Sequence, residues 1–117
     1  MKKLALNQYI EHTCLKATTT HADIDKLVAE AKEYQFVGVC VPPYWVEKAK
    51  RDLKGTDIQV VTVIGFPLGY QRTQTKKQEM ETAIKDGADE LDMVMTLSAF
   101  ATGAYDWVKI EIAQLAK

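Results

Sequence analysis

Apolar residues in this chain fall into short unbroken runs, each followed by a turn and then by an amphipathic stretch. Tyr9–Leu15 reads as a first strand. Thr20 is placed to cap a helix, with Asp23 three residues on in the capping-box position. Ile24, Leu27, Val28 and Ala31 then share one helical face. Phe36–Val41 is a continuous apolar run, as expected of a strand buried on both faces. Pro42 and Pro43 end it, and Pro43 suits the opening turn of a second helix. Trp45, Val46, Ala49 and Leu53 mark the core side of that helix, and Gly55 closes it. Ile58–Ile64, rich in β-branched residues, is the strongest strand signal. Gly65-Phe66-Pro67-Leu68-Gly69 turns the chain into a helix over Thr73–Asp86, with Gly87 as its stop. Glu90–Met95 reads as a fourth strand. Ala104–Lys117 reads as a fourth helix whose apolar side is Trp107, Val108, Ile112 and Leu115.

The order is therefore β-α four times over, which predicts an α/β fold with a parallel sheet and right-handed crossovers. A repeat of roughly 25–30 residues is one βα module, and periodicity alone fits a barrel or an open sheet equally. No linker or low-complexity segment interrupts residues 1–117, so a single domain is expected. Four parallel strands leave two open edges and half of an apolar lumen, whereas a closed (β/α)8 barrel has no edges. The four units thus predict half of a TIM barrel completed by self-association or by swapping of strands and helices between chains. A flattened four-stranded sandwich is the less favourable solution.

Composition narrows the function classes. The 117 residues are 47% hydrophobic and 26% charged, an ordinary globular balance. The formal charge of −1 provides no global field for nucleic acid or an anionic membrane. No run approaches the roughly 20 apolar residues that span a bilayer. Met1–Lys3 is basic, but Glu11 and His12 follow too soon for a signal-peptide core. The two cysteines, Cys14 and Cys40, match no metal or redox spacing, and a reduced, cytoplasmic protein is the simplest expectation.

In barrels the reactive groups sit at the C-terminal ends of strands, which directs attention to Leu15–Lys16, Cys40–Pro42, Val63–Gly69 and Asp92–Ser98. Asp92 is the most informative, because a carboxylate inside an apolar strand is costly unless paired or hydrogen-bonded. Alternation puts Asp92, Val94 and Thr96 on one face and Leu91, Met93 and Met95 on the other. Asp92 is either a site acid or a solvated strand-end acid like Asp89 and Glu90. Cys40 reads as a small buried hydrophobe rather than a nucleophile. His12 fits a core histidine, and His21 a solvated residue at a helix start. Lys16 follows the first strand and could approach a site, although most such lysines are solvated. Gly65–Gly69 lacks the ending of a Walker loop and the spacing of a dinucleotide fingerprint, and reads as a tight turn passing close to a ligand. Arg72, Lys76 and Lys77 are expected on a solvated helix face.

Four stretches together resemble deoxyribose-phosphate aldolase. They are Glu11-His12-Thr13-Cys14-Leu15-Lys16, Val37-Gly38-Val39-Cys40-Val41-Pro42-Pro43, Val61-Thr62-Val63-Ile64-Gly65-Phe66-Pro67-Leu68-Gly69 and Asp86-Gly87-Ala88-Asp89-Glu90-Leu91-Asp92-Met93-Val94. The resemblance runs from about residue 8 to the end of the chain and covers the N-terminal half of the family's barrel. It implies a metal-free, cofactor-free class I lyase that cleaves 2-deoxyribose 5-phosphate reversibly to glyceraldehyde 3-phosphate and acetaldehyde. A lysine amine forms the Schiff base, and the protonated imine acts as electron sink. By motif match Asp92 is the aspartate of the proton relay, and Leu15, Cys40 and Val63 line the substrate pocket. The implied partners are a phosphorylated deoxy-sugar and further copies of the chain, not nucleic acid or membrane. The family's Schiff-base lysine, its activating lysine and its phosphate loops lie on later strands and match nothing in these residues. Glu11 stands where aspartate is usual, and Thr96 where many members carry asparagine. The 117 residues alone are therefore expected to be inactive. The alternative expectation is a non-catalytic, self-assembling half-barrel, natural or engineered.

Overall fold

The computed structural model describes residues 5–116. Its four strands are β1 (Glu11–Thr13), β2 (Gly38–Val41), β3 (Gln59–Ile64) and β4 (Glu90–Met93). They form one sheet in the order β1-β2-β3-β4, and every neighbouring pair is parallel. The helices are α1 (His21–Tyr34), α2 (Val46–Asp52), α3 (Thr73–Asp86), α4 (Leu97–Ala101) and α5 (Tyr105–Leu115). A sheet whose strand order follows the chain, with crossovers of one hand, collects its helices on one face. An open doubly wound sheet would instead need a reversal of strand order. The architecture is that of four consecutive units of a (β/α)8 barrel.

The helix-side core carries most of the apolar packing. Ile24, Leu27, Val28 and Ala31 of α1 and Val46 and Ala49 of α2 meet Val39 and Val41 of β2 and Val60 of β3. α1 begins with the expected capping box: Thr20 Oγ1 accepts from the Asp23 N–H, and the Asp23 carboxylate accepts from the Thr20 N–H. α3 has the expected bounds and ends at Gly87, whose φ of 109° only glycine adopts readily.

Besides β2 and β3, which start at Gly38 and Gln59 rather than Phe36 and Ile58, five features depart from the sequence expectation. The first strand is shorter than Tyr9–Leu15, and Leu6–Tyr9 winds into a 3-10 turn instead. The cause is tertiary: Asn7 Nδ2 donates to the carbonyls of Tyr34 and Gln35, and Gln8 Nε2 to Gln35. The segment thus satisfies carbonyls left open at the end of α1. Second, Pro43–Trp45 forms a 3-10 turn, so α2 proper starts at Val46. Third, β4 ends at Met93, not Met95, and the unpredicted short helix α4 follows. Fourth, the last helix begins at Tyr105 rather than Ala104, and the expected end at Lys117 lies outside the described residues, as does the basic start Met1–Lys3. Fifth, α5 buries Val108, Glu111 and Leu115, whereas Trp107 and Ile112 are 45% and 44% exposed. The phase of the helix is set by Glu111, a charged residue that apolar periodicity does not count.

Candidate active site

Strand register assigns the face away from the helices. Parallel partners point the same way. Thr13 is level with Cys40, Cys40 with Val61, Val61 with Glu90, and Val63 with Asp92. Cys40, Val61 and Val63 form a small buried cluster, with Leu15 packed against it. The structure thus brings Leu15, Cys40, Val63 and Asp92 to one concave face. Asp92 stands on β4 directly beside Val63, exposed to the open lumen.

The face is acidic. β1 contributes Glu11, and β4 contributes Glu90 and Asp92. Burial, a side-chain hydrogen bond with Glu90, and the charges of Asp92 and Glu90 all raise the pKa of Glu11. The Cys40 thiol is pushed up to about 11, first by desolvation and then by the charges of Asp92 and Glu11. It therefore stays protonated at neutral pH and packs as a hydrophobe. Among the described residues, no group of three His, Cys, Asp or Glu side chains is arranged to hold a metal ion.

A cavity of ≈ 640 Å³ opens at the C-terminal ends of the strands, lined by Leu15, Lys16, Thr19, Tyr44, Val63 and Phe66 among others. Lys16 reaches this vestibule, but neither Cys40 nor Asp92 lines it. The Gly65–Gly69 turn closes over the end of β4. The Gly65 N–H donates to Glu79 Oε1 at 2.6 Å, and the Gly69 N–H to the Gly65 carbonyl at 2.7 Å. A Cβ on Gly69 would collide with the Met95 carbonyl and lie 2.7 Å from Val94 Cγ1. His12 pairs with Glu30 at 3.2 Å and His21 with Asp25 at 3.1 Å, so both histidines are engaged at the helix layer.

One expectation about charge is overturned. Lys76 does not lie on a solvated face: it is 1% exposed. Its Nζ donates to Glu111 Oε1 at 3.1 Å and to Thr96 Oγ1 at 3.0 Å. Thr73 Oγ1 donates to Glu111 Oε2 at 2.7 Å, and Thr96 Oγ1 to Glu111 Oε1 at 2.9 Å. Burial alone would raise the pKa of Glu111. Hydrogen bonds from Thr73, Lys76 and Thr96 outweigh it and hold the carboxyl below its ordinary value. The pair is buried because it is matched and nearly saturated with hydrogen bonds. Thr96 therefore does not continue the Asp92 face: the strand has already ended, and its hydroxyl turns to the helix layer. Helical phase was the available signal, since Lys76, Met80 and Ala83 fall on one face of α3.

Fold and concave face together define this chain as four consecutive units of a parallel βα barrel, with an acid at the strand-four end of its lumen. No protein-family model matches it. A deoxyribose-phosphate aldolase of Clostridium botulinum is 49% identical over 96% of this chain and 53% of its own length. A structure from Coccidioides immitis, provisionally described as a deoxyribose-phosphate aldolase, superposes with a TM-score of 0.89 at 43% identity, over 92% of this chain and 42% of that one. The tetrameric deoxyribose phosphate aldolase of Aeropyrum pernix superposes with a TM-score of 0.75 at 30% identity, over 91% and 48%. In sequence and fold the chain is similar to about half of these deoxyribose-phosphate aldolases, and it spans about half the length of the curated relatives it matches.

Proposed function

We propose that this chain supplies the first four βα units of a class I aldolase site acting on 2-deoxyribose 5-phosphate. The observation that carries the reading is the register of Asp92 beside Val63, on the same face as Cys40 and Leu15. In this reading Asp92 relays a proton during formation and breakdown of the Schiff base. Leu15, Cys40 and Val63 form an apolar wall against the substrate carbons. Once enclosed, such a wall excludes water, which would otherwise hydrolyse the imine. No residue of the 117 matches the family's Schiff-base lysine, so in this reading the chain alone forms no Schiff base with substrate, and the class I chemistry itself calls for no metal or cofactor. The two free cysteines, Cys14 and Cys40, suit a reducing compartment such as the cytoplasm.

Borohydride trapping with 2-deoxyribose 5-phosphate, read by intact mass and peptide mapping, tests this directly. The expected result is no adduct on the isolated chain, with a full-length deoxyribose-phosphate aldolase labelled in parallel. An adduct mapped to Lys16, and lost in Lys16→Ala, would show instead that a local lysine at the vestibule has been recruited.

A second reading is supported by the open edges: the isolated chain is a non-catalytic half-barrel that self-associates. β1 and β4 each have one unpaired edge, and the lumen wall is uncovered. Sedimentation of the 117-residue chain should show a discrete oligomer. A well-folded monomer across the accessible concentration range would rule this reading out.

A further inference from the structure

Lys76 and Glu79 stand three residues apart on α3 and so project from neighbouring points of one helix face. Each reaches the C-terminal end of a strand. Glu79 Oε1 accepts the Gly65 N–H directly after β3. The Lys76 stem lies over that same glycine: a Cβ there would stand 3.2 Å from Lys76 Cε and 3.6 Å from its Cγ. The amine beyond the stem donates to Thr96, the third residue after β4. One side chain therefore spans the ends of the two strands that carry Val63 and Asp92.

The amine end is fixed by a closed triangle. Lys76 Nζ donates to Thr96 Oγ1 at 3.0 Å and to Glu111 Oε1 at 3.1 Å, and Thr96 Oγ1 donates to the same Oε1 at 2.9 Å. Thr73 Oγ1 holds the other carboxylate oxygen. The Thr96 hydroxyl both donates and accepts, which sets its rotamer. α3, α5 and the segment after β4 are thus tied at one point. Stability is a poor reason for such a point, because an apolar group of matching volume does as well or better in the same space. What apolar packing lacks is direction. Packed methyls slide at little cost, whereas a hydrogen bond weakens once it stretches beyond about 3.2 Å or bends below about 120°.

We propose that Lys76 and Glu111 are positioning residues: through Thr96 they fix the C-terminal end of β4 against β3 and so set where the Asp92 carboxylate stands beside Val63. The proposal rests on the aldolase reading above, which gives that placement its purpose. Both residues are 1% exposed, so neither touches substrate. Between Asp92 and Thr96 the chain keeps little freedom. The Val94 N–H donates to the Ile64 carbonyl at 2.9 Å, and Gly69 packs against Val94 and Met95. A proton-relay group works only when held within about 0.5 Å of its productive place. Its carboxylate is no better placed than the backbone that carries it.

The test separates placement from stability. Lys76→Met/Glu111→Leu removes both charges together and keeps the volume; Thr96→Val removes only the hydroxyl, and Thr96→Ser keeps it. Amide exchange in the 117-residue chain is followed by NMR, with Val94 reporting the end of β4 and Val39 and Val61 reporting the sheet interior. Exchange at Val94 should rise about tenfold in the double variant and in Thr96→Val, the scale of one or two lost hydrogen bonds. Val39 and Val61 should change far less, and Thr96→Ser should exchange like the wild type. When each variant is paired with the remaining half of a deoxyribose-phosphate aldolase, the same two should lower kcat about tenfold and leave KM unchanged, with Thr96→Ser restoring kcat. Unchanged exchange at Val94 would overturn the proposal. Equal increases at Val39, Val61 and Val94 would overturn it too, by reducing the network to a stability device. Faster exchange at Val94 with undiminished kcat in an active pair would refute the positioning role. A wild-type pair that folds without activity would instead remove the aldolase reading, and the exchange rates would still decide whether the network holds β4.

Discussion

Lys76 and Glu111 meet where α3, α5 and the turn after β4 converge, and neither is accessible to solvent. Such a pair contributes modestly to net stability, but either partner alone is a buried, uncompensated charge. Lys76→Ala should destabilise the chain by about 3–5 kcal/mol in urea unfolding. The double replacement Lys76→Met/Glu111→Leu should cost distinctly less than that single change. A loss equal to the sum of the two single replacements would mean that the charges act independently. The lowered pKa of Glu111 sets the sign of its pH response. Its contribution is fully present above the unfolded-state value and is lost as pH falls through the folded one. An acid-unfolding midpoint that moves up in Thr73→Val, which removes one of the hydrogen bonds, would agree with this; an unchanged midpoint would not. Cys40 offers a second residue-scale check. With its thiol raised to about 11, it should resist iodoacetamide in the folded chain at mildly basic pH and react in urea, while the less buried Cys14 reacts first. Equal folded-state rates for the two cysteines would contradict the burial that places Cys40 in the lumen wall.

At the scale of elements, the Gly65–Gly69 turn locks the C-terminal end of β3 to that of β4. Val94 N–H donates to the Ile64 carbonyl at 2.9 Å, and Gly69, at φ 69°, packs against Val94 and Met95. Gly69→Ala faces both the left-handed backbone penalty of about 1–2 kcal/mol and a collision with the Met95 carbonyl oxygen. It should lower the unfolding midpoint and increase amide exchange at Asp92 and Met93. A neutral effect on both would show that the turn does not brace β4. The elements that local pattern could read are those built by local pattern. The β-branched run of β3, the capping box at Thr20 and the glycine stop at Gly87 need no distant partner. The elements that differ are those shaped by tertiary contacts. Asn7 and Gln8 turn to the carbonyls ending α1, so β1 is short. Lys76 and Glu111 sit at core phases of their helices, so a hydrophobic count assigns α3 a solvated lysine and α5 a misplaced apolar face. The face of Asp92 was legible only as a choice between two, and the register with Val63 decides it.

For the whole molecule, the two sides of the sheet are packed unequally. The helix side of the sheet holds a continuous apolar core, whereas the concave side holds a small cluster, an acid-lined wall and two open edges. The curated relatives that match this chain continue for about as many residues again. The measurement that tests the account most directly is complementation. The chain is mixed with the remaining half of a deoxyribose-phosphate aldolase, and cleavage of 2-deoxyribose 5-phosphate is assayed. The account predicts aldolase activity that neither half shows alone and that falls by at least about a hundredfold, on the scale of a lost general acid–base group, when Asp92→Asn is used. A stable, folded complex without activity, or one in which Asp92→Asn reacts as well as the wild type, would contradict it.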